Sequence, residues 1–351
     1  MNHYLTFDDV LLLPNYSEIT PKDVDLTTEL APGIGLQIPI LSAPMDTVTE
    51  SNMLIALGTL GGLGILHRNL SIDEQAKQLK IALDANVKAG AAVGFGADFE
   101  NRVSTLAKLN PTTICIDSAH AHTKNILDAA RHIKKHYPHI PLIAGNVATY
   151  EGAKALFEAG ADVVKVGMGS GSICITRVMS GVGVPQLSAI LECARAAREF
   201  NRCIISDGGI RTSGDVVKAL AAGASAVMLG SLLAGTDESV GELVEIDNRL
   251  YKSYRGMGSV QSMTQGSATR YGQEYSKGDK KKLVPEGVEG LIAHRGALKE
   301  WLHQILGGLR SGCGYLGVAN IRELQQKAQF VTISTAGMAE SHPHTIVQKT
   351  C

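Results

Sequence analysis

Aromatic residues are scarce in this sequence, 5% of 351 positions with a single tryptophan, so a core must come from aliphatic and small side chains. Hydrophobic residues reach 44%, enough for a sizeable core. No run of 18 apolar residues occurs, which excludes a membrane-spanning helix. Neither sign of charge dominates. The formal net charge is −1, which leaves no electrostatic case for nucleic acid or an anionic membrane surface. The six cysteines (Cys115, Cys174, Cys193, Cys203, Cys313 and Cys351) include no C-x-x-C pair, so the usual zinc-site spacing is missing. Met1-Asn2-His3-Tyr4-Leu5-Thr6 lacks a basic stretch followed by an apolar one, so no secretory leader is expected. The chain is read as cytoplasmic with free thiols, and Cys115 and Cys203, inside apolar strand-like runs, are expected in the core.

Glycine is plentiful, at 38 residues. Short apolar runs recur at Ile38–Ser42, Leu63–His67, Ala91–Phe95, Thr112–Asp117, Pro141–Asn146, Asp162–Gly167, Cys203–Asp207 and Ser225–Gly230. Segments of helical period lie between most of them, among them Ser71–Leu83, Asn125–Lys135, Tyr150–Ala159, Pro185–Phe200 and Ser213–Ala222. This alternation implies βα units on a parallel sheet, and eight of them fit an α/β fold of the (β/α)8 TIM-barrel type over residues 1–351. The competing doubly wound sheet uses fewer strands, about five to seven. Asp46, His67, Asp117, Asn146, Gly167–Gly171, Asp207 and Gly230-Ser231 all fall at or just past the ends of apolar runs. In a barrel that face carries the site, and a phosphate commonly sits at the late loops, which suits Gly230-Ser231.

The segment of about 251–290 breaks the rhythm. It holds Gly256, Gly258, Gly266, Gly272, Gly278, Gly287 and Gly290 but few apolar residues. It is read as a long mobile active-site flap after the eighth strand, partly ordered, because Tyr254–Ser259, Arg270-Tyr271 and Leu283–Gly287 are too specific for a spacer. A helix over Leu298–Ser311 follows, then a polar tail containing Glu340-Ser341-His342-Pro343-His344.

The most informative stretch is Gly167-Met168-Gly169-Ser170-Gly171-Ser172-Ile173-Cys174-Ile175-Thr176-Arg177, which follows the apolar run Ala161–Val166. Its alternating glycines let the backbone approach a ligand. Its free N–H groups and serine hydroxyl suit a phosphate. Cys174 lies just beyond, where a thiolate could form beside that ligand. The combination points to covalent chemistry on a phosphorylated small molecule. A Rossmann reading of the three glycines fails, because the required strand ending in an acidic residue about 20 positions on is absent. His120 and His122, beside Asp117, are read as loop surface near the site and not as metal ligands.

Leu5–Leu12, Met45-Asp46-Thr47-Val48-Thr49-Glu50, the cysteine loop, Ser206-Asp207-Gly208-Gly209-Ile210 and Tyr254–Ser259, in this order, resemble the inosine monophosphate (IMP) dehydrogenase and guanosine monophosphate (GMP) reductase superfamily over nearly the whole chain. Arg270-Tyr271, Tyr254–Ser259 and Glu340-Ser341-His342 resemble the dehydrogenase branch, which oxidises IMP to XMP with NAD. The rivals are a GMP reductase using NADPH and a catalytically silent nucleotide-binding barrel.

The resemblance implies roles. Cys174 would attack C2 of the purine, and Thr176, Arg270, Tyr271 and Glu286 would handle the hydrolytic step, with Arg270-Tyr271 activating water. Ser172, Gly209, Gly230, Ser231 and Tyr254 would hold the phosphate. Asp207, an acceptor-only carboxylate, would take the ribose hydroxyls. Gly256, Met257, Gly258 and Glu286 would meet the base. Asp117, Ser118, Asn146 and Gly167 would face NAD. Potassium would bind carbonyls of Gly169, Gly171 and Cys174, with Glu340, Ser341 and His342 supplied by a neighbouring subunit of a homotetramer.

Two residues depart from the family pattern: Ser170 replaces a proline and Ile175 a threonine. The CBS regulatory pair that the family carries between the second helix and third strand is missing, since Ile81–Gly90 bridges that point directly. Cys174→Ala is expected to abolish turnover while retaining IMP binding. Calorimetry beside an absorbance assay checks this, and residual turnover would remove Cys174 as nucleophile.

Overall fold

The computed structural model describes residues 3–275, 280–343 and 345–346; Gly278, His344 and Cys351 lie outside the described residues. Eight strands form the centre: β1 (Ile40–Ser42), β2 (Leu63–Leu66), β3 (Ala89–Val93), β4 (Thr113–Asp117), β5 (Leu142–Val147), β6 (Val163–Val166), β7 (Cys203–Asp207) and β8 (Ala226–Leu229). They pair in parallel and close into a barrel in the order β7-β8-β1-β2-β3-β4-β5-β6. Every predicted run overlaps one strand, with ends shifted by at most two residues. The connecting helices are α1 (Ser51–Thr59), α2 (Ile72–Asp84), α3 (Phe99–Ala107), α4 (Lys124–His136), α5 (Tyr150–Glu158), α6 (Gln186–Glu199), α7 (Ser213–Ala221) and α8 (Leu298–Leu316). This is the (β/α)8 barrel. α8 runs past the predicted Ser311 because its buried stripe continues through Cys313 to Leu316, where Gly317 ends it at φ 63°.

Strand alternation divides the apolar residues into two layers. Leu63, Ile65, Cys115, Ile143, Val163, Ile205 and Met228 point inward and pack together. Ile114, Ile116, Val164, Val166 and Ile204 point outward against the helices. Among the described residues, no aromatic side chain enters the inner layer. A hairpin, Thr28–Glu29 with Gly35–Leu36, closes the opposite mouth by adding Leu30 and Ile34 to that layer. Continuing the inward alternation upward puts Asp117 above Cys115, Lys165 above Val163 and Asp207 above Ile205. Gly145 makes room for this layer: a Cβ there would stand 2.6 Å from Lys165 Cβ and from its carbonyl oxygen. Cys115, Cys193 and Cys313 are buried free thiols. Cys203 sits half-buried at the start of β7, packed against the inner layer with its thiol 3.4 Å from the Glu29 carbonyl, so it lies at the edge of the core.

The segment after β8 is more ordered than a loop. It begins before residue 251, with a three-stranded antiparallel sheet of β9 (Leu243–Ile246), β10 (Arg249–Arg255) and β11 (Glu289–Ala293). The predicted start at Tyr251 falls inside β10. Between β10 and β11 lie a short helix, Val260–Thr264, and a 3-10 turn, Ser267–Tyr271. Met263, Ala268 and Leu283 give this part a small core of its own, with Val260, Tyr271 and Tyr275 packed on it.

Asp46, just past β1, ties the flap to the barrel. It accepts from Arg255 Nε and Nη2, both at 3.0 Å, from Asn69 at 2.8 Å and from the Ser262 hydroxyl at 3.0 Å. Asn69 is itself placed by its N–H donating to His67 Nδ1 at 3.1 Å, while His67 Nε2 meets Glu50 at 3.1 Å. Removing one partner of a buried ion pair leaves the other uncompensated. Asp46→Asn is therefore expected to raise amide exchange through residues 259–271 with the barrel strands unchanged, as read by hydrogen-exchange mass spectrometry. Equal loosening of barrel and flap would make Asp46 a general scaffold residue.

Candidate active site

One cavity of about 380 Å³ opens at the C-terminal ends of the strands. The cysteine loop forms one wall. Gly167 has φ 148°, and a Cβ there would collide with the Asp207 carbonyl, so the loop leaves β6 in a conformation and a space open only to glycine. The next turn is held from behind by Arg177, whose Nε donates to Met168 O at 3.1 Å and whose Nη2 donates to Val184 O. Cys174 N–H donates to Gly171 O at 3.1 Å. The Cys174 thiol is half-buried and donates to the Thr176 hydroxyl at 3.2 Å.

The flap forms the opposite wall and is joined to the cysteine loop by backbone. Ile175 N–H donates to Glu286 O at 2.9 Å, and Val288 N–H donates to Ile173 O at 3.0 Å. These two bonds flank an isolated bridge between Cys174 and Gly287. Glu286 and Gly287 N–H groups donate in turn to Gly258 O, at 3.0 and 3.1 Å. Cys174, Thr176, Arg270, Tyr271 and Glu286 thus all line the same cavity, although up to 112 positions separate them in sequence.

The other predicted residues gather as follows. Ser172, Gly209, Gly230, Ser231 and Tyr254 line one end. The Tyr254 hydroxyl interacts with Ser172, and burial pushes its pKa up to about 12, so it is a neutral donor at pH 7. A Cβ on Gly230 would stand 3.0 Å from the Tyr254 hydroxyl, so that phenol lies directly over the glycine. Gly208 and Gly209 both have positive φ, 91° and 78°, which turns the chain sharply beneath the cavity. Gly256, Met257 and Gly258 cross above it, and Asp117, Asn146, Gly167, Gly169, Gly171 and Asp207 line it too. Ser118 does not. It is buried, with its hydroxyl donating to His120 O at 3.2 Å. Glu340, Ser341 and His342 are exposed at the end of the helix Thr335–Glu340, and none of them lines the cavity. His120 and His122 are exposed, and no group of three or more acidic, histidine or cysteine residues forms a metal cluster among the described residues.

Sequence reasoning missed the centre of the site. Lys165, fully buried on β6, donates to Asp117 Oδ1 at 3.0 Å, to Asp207 Oδ2 at 2.6 Å and to Asn146 Oδ1. A register shift in β5 around Gly145–Val147 accompanies the placement of Asn146, whose amide also donates to Asp207 at 3.0 Å and to Gly167 O at 2.8 Å. The available signal was a lysine inside the apolar run Ala161–Val166, where a charge survives only if paired. Arg270 forms an ion pair with the other oxygen of Asp117. Burial raises the Tyr271 pKa above its ordinary value, opposed by the adjacent Arg270 charge, so Tyr271 is a neutral phenol at pH 7. Arg68 is buried nearby. Its Nη1 donates to Thr269 at 3.0 Å, and burial, then the Arg270 charge, brings its pKa down to about 10.

Residues 4–344 match the family described as IMP dehydrogenase / GMP reductase domain. Inosine-5'-monophosphate dehydrogenases of Staphylococcus saprophyticus and Staphylococcus aureus are each 40% identical over 471 aligned positions, covering 97% of this chain and 96% of theirs. The alignments are longer than the 351-residue chain, so those relatives carry at least 120 positions with no counterpart here. Family match, barrel and cavity agree: the chain belongs to the IMP dehydrogenase / GMP reductase family.

Proposed function

We propose that this protein oxidises IMP to XMP with NAD, through a covalent adduct on Cys174 that is then hydrolysed. The observation that carries the reading is the meeting, in one cavity, of a thiol with a hydroxyl partner and a flap bearing Arg270-Tyr271. Glycine N–H groups and the hydroxyls of Ser172, Ser231 and Tyr254 suit a phosphate monoester without a lysine cluster. Asp207, fixed by Lys165 and Asn146, presents a carboxylate to ribose hydroxyls. Cys174 Sγ attacks C2 of the purine, and the hydride from C2 leaves the adduct, which splits one difficult step into two.

Asp117 and Asn146 would hold the nicotinamide riboside; when bound, NAD accepts the hydride. Arg270 stands on Asp117, so the flap in this position and a ligand on Asp117 exclude one another. That exclusion supports a sequence in which the flap enters after hydride transfer. Arg270 and the neutral Tyr271 phenol then orient and polarise water beside the adduct, and the water proton leaves by way of Thr176 to the Glu286 carboxylate.

Potassium fits the carbonyls of Gly169, Gly171 and Cys174. They are hard oxygen donors on one turn, and Gly171 O, holding one hydrogen bond from Cys174, keeps a lone pair. The ion would supply a fixed centre that shapes the turn. The exposure of Glu340, Ser341 and His342 supports their lending oxygens to a neighbouring subunit in a homotetramer. Direct passage from α2 to β3 supports the absence of a CBS module.

NADH absorbance from IMP and NAD with potassium present, beside a GMP and NADPH assay, tests the reading. Production of NADH, lost without potassium, is expected; consumption of NADPH with GMP would place the chain in the reductase branch. Arg270→Ala is expected to keep the burst of NADH but slow the steady state by about 100-fold or more. Stopped-flow absorbance checks this, and equal loss of both phases would contradict the hydrolytic role.

A further inference from the structure

The three charged residues at the mouth do not balance. Asp117 and Asp207 contribute two carboxylates and Lys165 one ammonium, all held in direct contact. Lys165 spends its three N–H donors on Asp117, Asp207 and Asn146 and has none left. One negative charge therefore stays uncompensated, and it is exposed to the cavity at Asp117 Oδ2, where Arg270 now sits. Arg68 stands near Arg270 and opposes its approach. The Arg270 guanidinium thus stands on a cluster that is a net anion.

This inference rests on the activity proposed above. In that reaction the ligand expected on Asp117 changes charge. Cys174 thiolate adds to C2; the C2–H bond then breaks, and its hydrogen leaves as hydride with both electrons. The positive pyridinium becomes a neutral dihydropyridine as the anionic adduct becomes neutral. The cluster is thus neutralised by its ligand before the transfer and left as a bare anion after it. We propose that Lys165 is a positioning residue that sets the cluster at a net charge of −1, so that Asp117 holds one cation at a time, the oxidised nicotinamide before hydride transfer and the Arg270 guanidinium after it. Loss of charge on the ligand, and not loss of shape, then admits the flap.

The test measures affinity, not turnover. In a Cys174→Ala background with IMP bound, dissociation constants for NAD and for NADH are obtained by calorimetry and NADH fluorescence. Flap competition acts on both ligands, so it cancels in their ratio. Asp117→Asn brings the cluster to neutrality and is expected to reduce the preference for NAD over NADH by about tenfold, the scale of one unit charge across a few ångströms in a partly screened site. A role for Asp117 in ribose contacts alone would weaken both ligands equally; an unchanged ratio overturns the proposal. Lys165→Met is expected to raise the preference, and Lys165→Arg to return it to the parent value. A folded Lys165→Met with the parent ratio also overturns the proposal. If Lys165→Met fails to fold, Asp117→Asn decides alone. Absence of NADH formation by the wild type would sink the activity reading; formation of NADH with an unmoved ratio sinks this inference only.

Discussion

A buried ammonium ion governs the geometry of the barrel mouth. Lys165 is removed from water, and an ion so placed persists only when each donor finds an acceptor. It has three donors and finds three acceptors, one each from the ends of β4, β5 and β7, while rising itself from β6. Four adjacent strand ends are thereby fixed around one atom. The acceptors are residues expected to face the nicotinamide and the ribose, so the same bonds that make the lysine tolerable also hold those groups in place. Without it, the two carboxylates at the ends of β4 and β7 would lose the cation that lies between them.

The flap follows a different constraint. Its two arms are anchored separately: Arg255 and Ser262 to Asp46 on the barrel, and Glu286 to Val288 by backbone bonds to the cysteine loop. The part that carries Arg270 and Tyr271 lies between these anchors, so motion of the tip does not require the stem sheet to come apart. Motion of the second arm is another matter. It shares main-chain bonds with Ile173 and Ile175, on either side of the thiol, so its displacement pulls on the backbone that positions Cys174. Flap position and the placement of the Cys174 thiol are mechanically linked, whatever drives the flap.

The barrel was legible in the sequence because buried parallel strands are continuous apolar runs, and the run ends mark the functional face. The cysteine loop was legible because alternating glycines and a cysteine occur within one short segment. Long-range polar pairing was not. Asp46 was marked as a residue of the mouth, but its partners Arg255 and Ser262 lie more than 200 positions away, and local pattern carries no trace of them. Lys165 was hidden by its neighbours: inside an apolar strand it reads as an interruption, and its meaning appears only when Asp117 and Asp207 arrive from other strands. The flap sheet was missed for a related reason. β10 carries Arg249, Lys252 and Arg255, so it looks like a loop, yet Lys252 is buried because its ammonium group donates to the carbonyls of Thr236, Asp237 and Ser239.

The two departures in the cysteine loop fall where backbone, not side chain, does the holding. The Ser170 hydroxyl lies 3.4 Å from the Asp207 carbonyl and occupies space left by Gly208, where a Cβ would stand only 2.6 Å from it. Ile175 contributes its N–H to Glu286, a bond that any residue other than proline can make. The hydroxyl that meets the sulfur belongs to Thr176, one residue on, and it is present. A loop fixed by main-chain bonds, by glycine clearances and by Arg177 behind it can exchange a proline and a threonine at these positions and still present its thiol to the cavity.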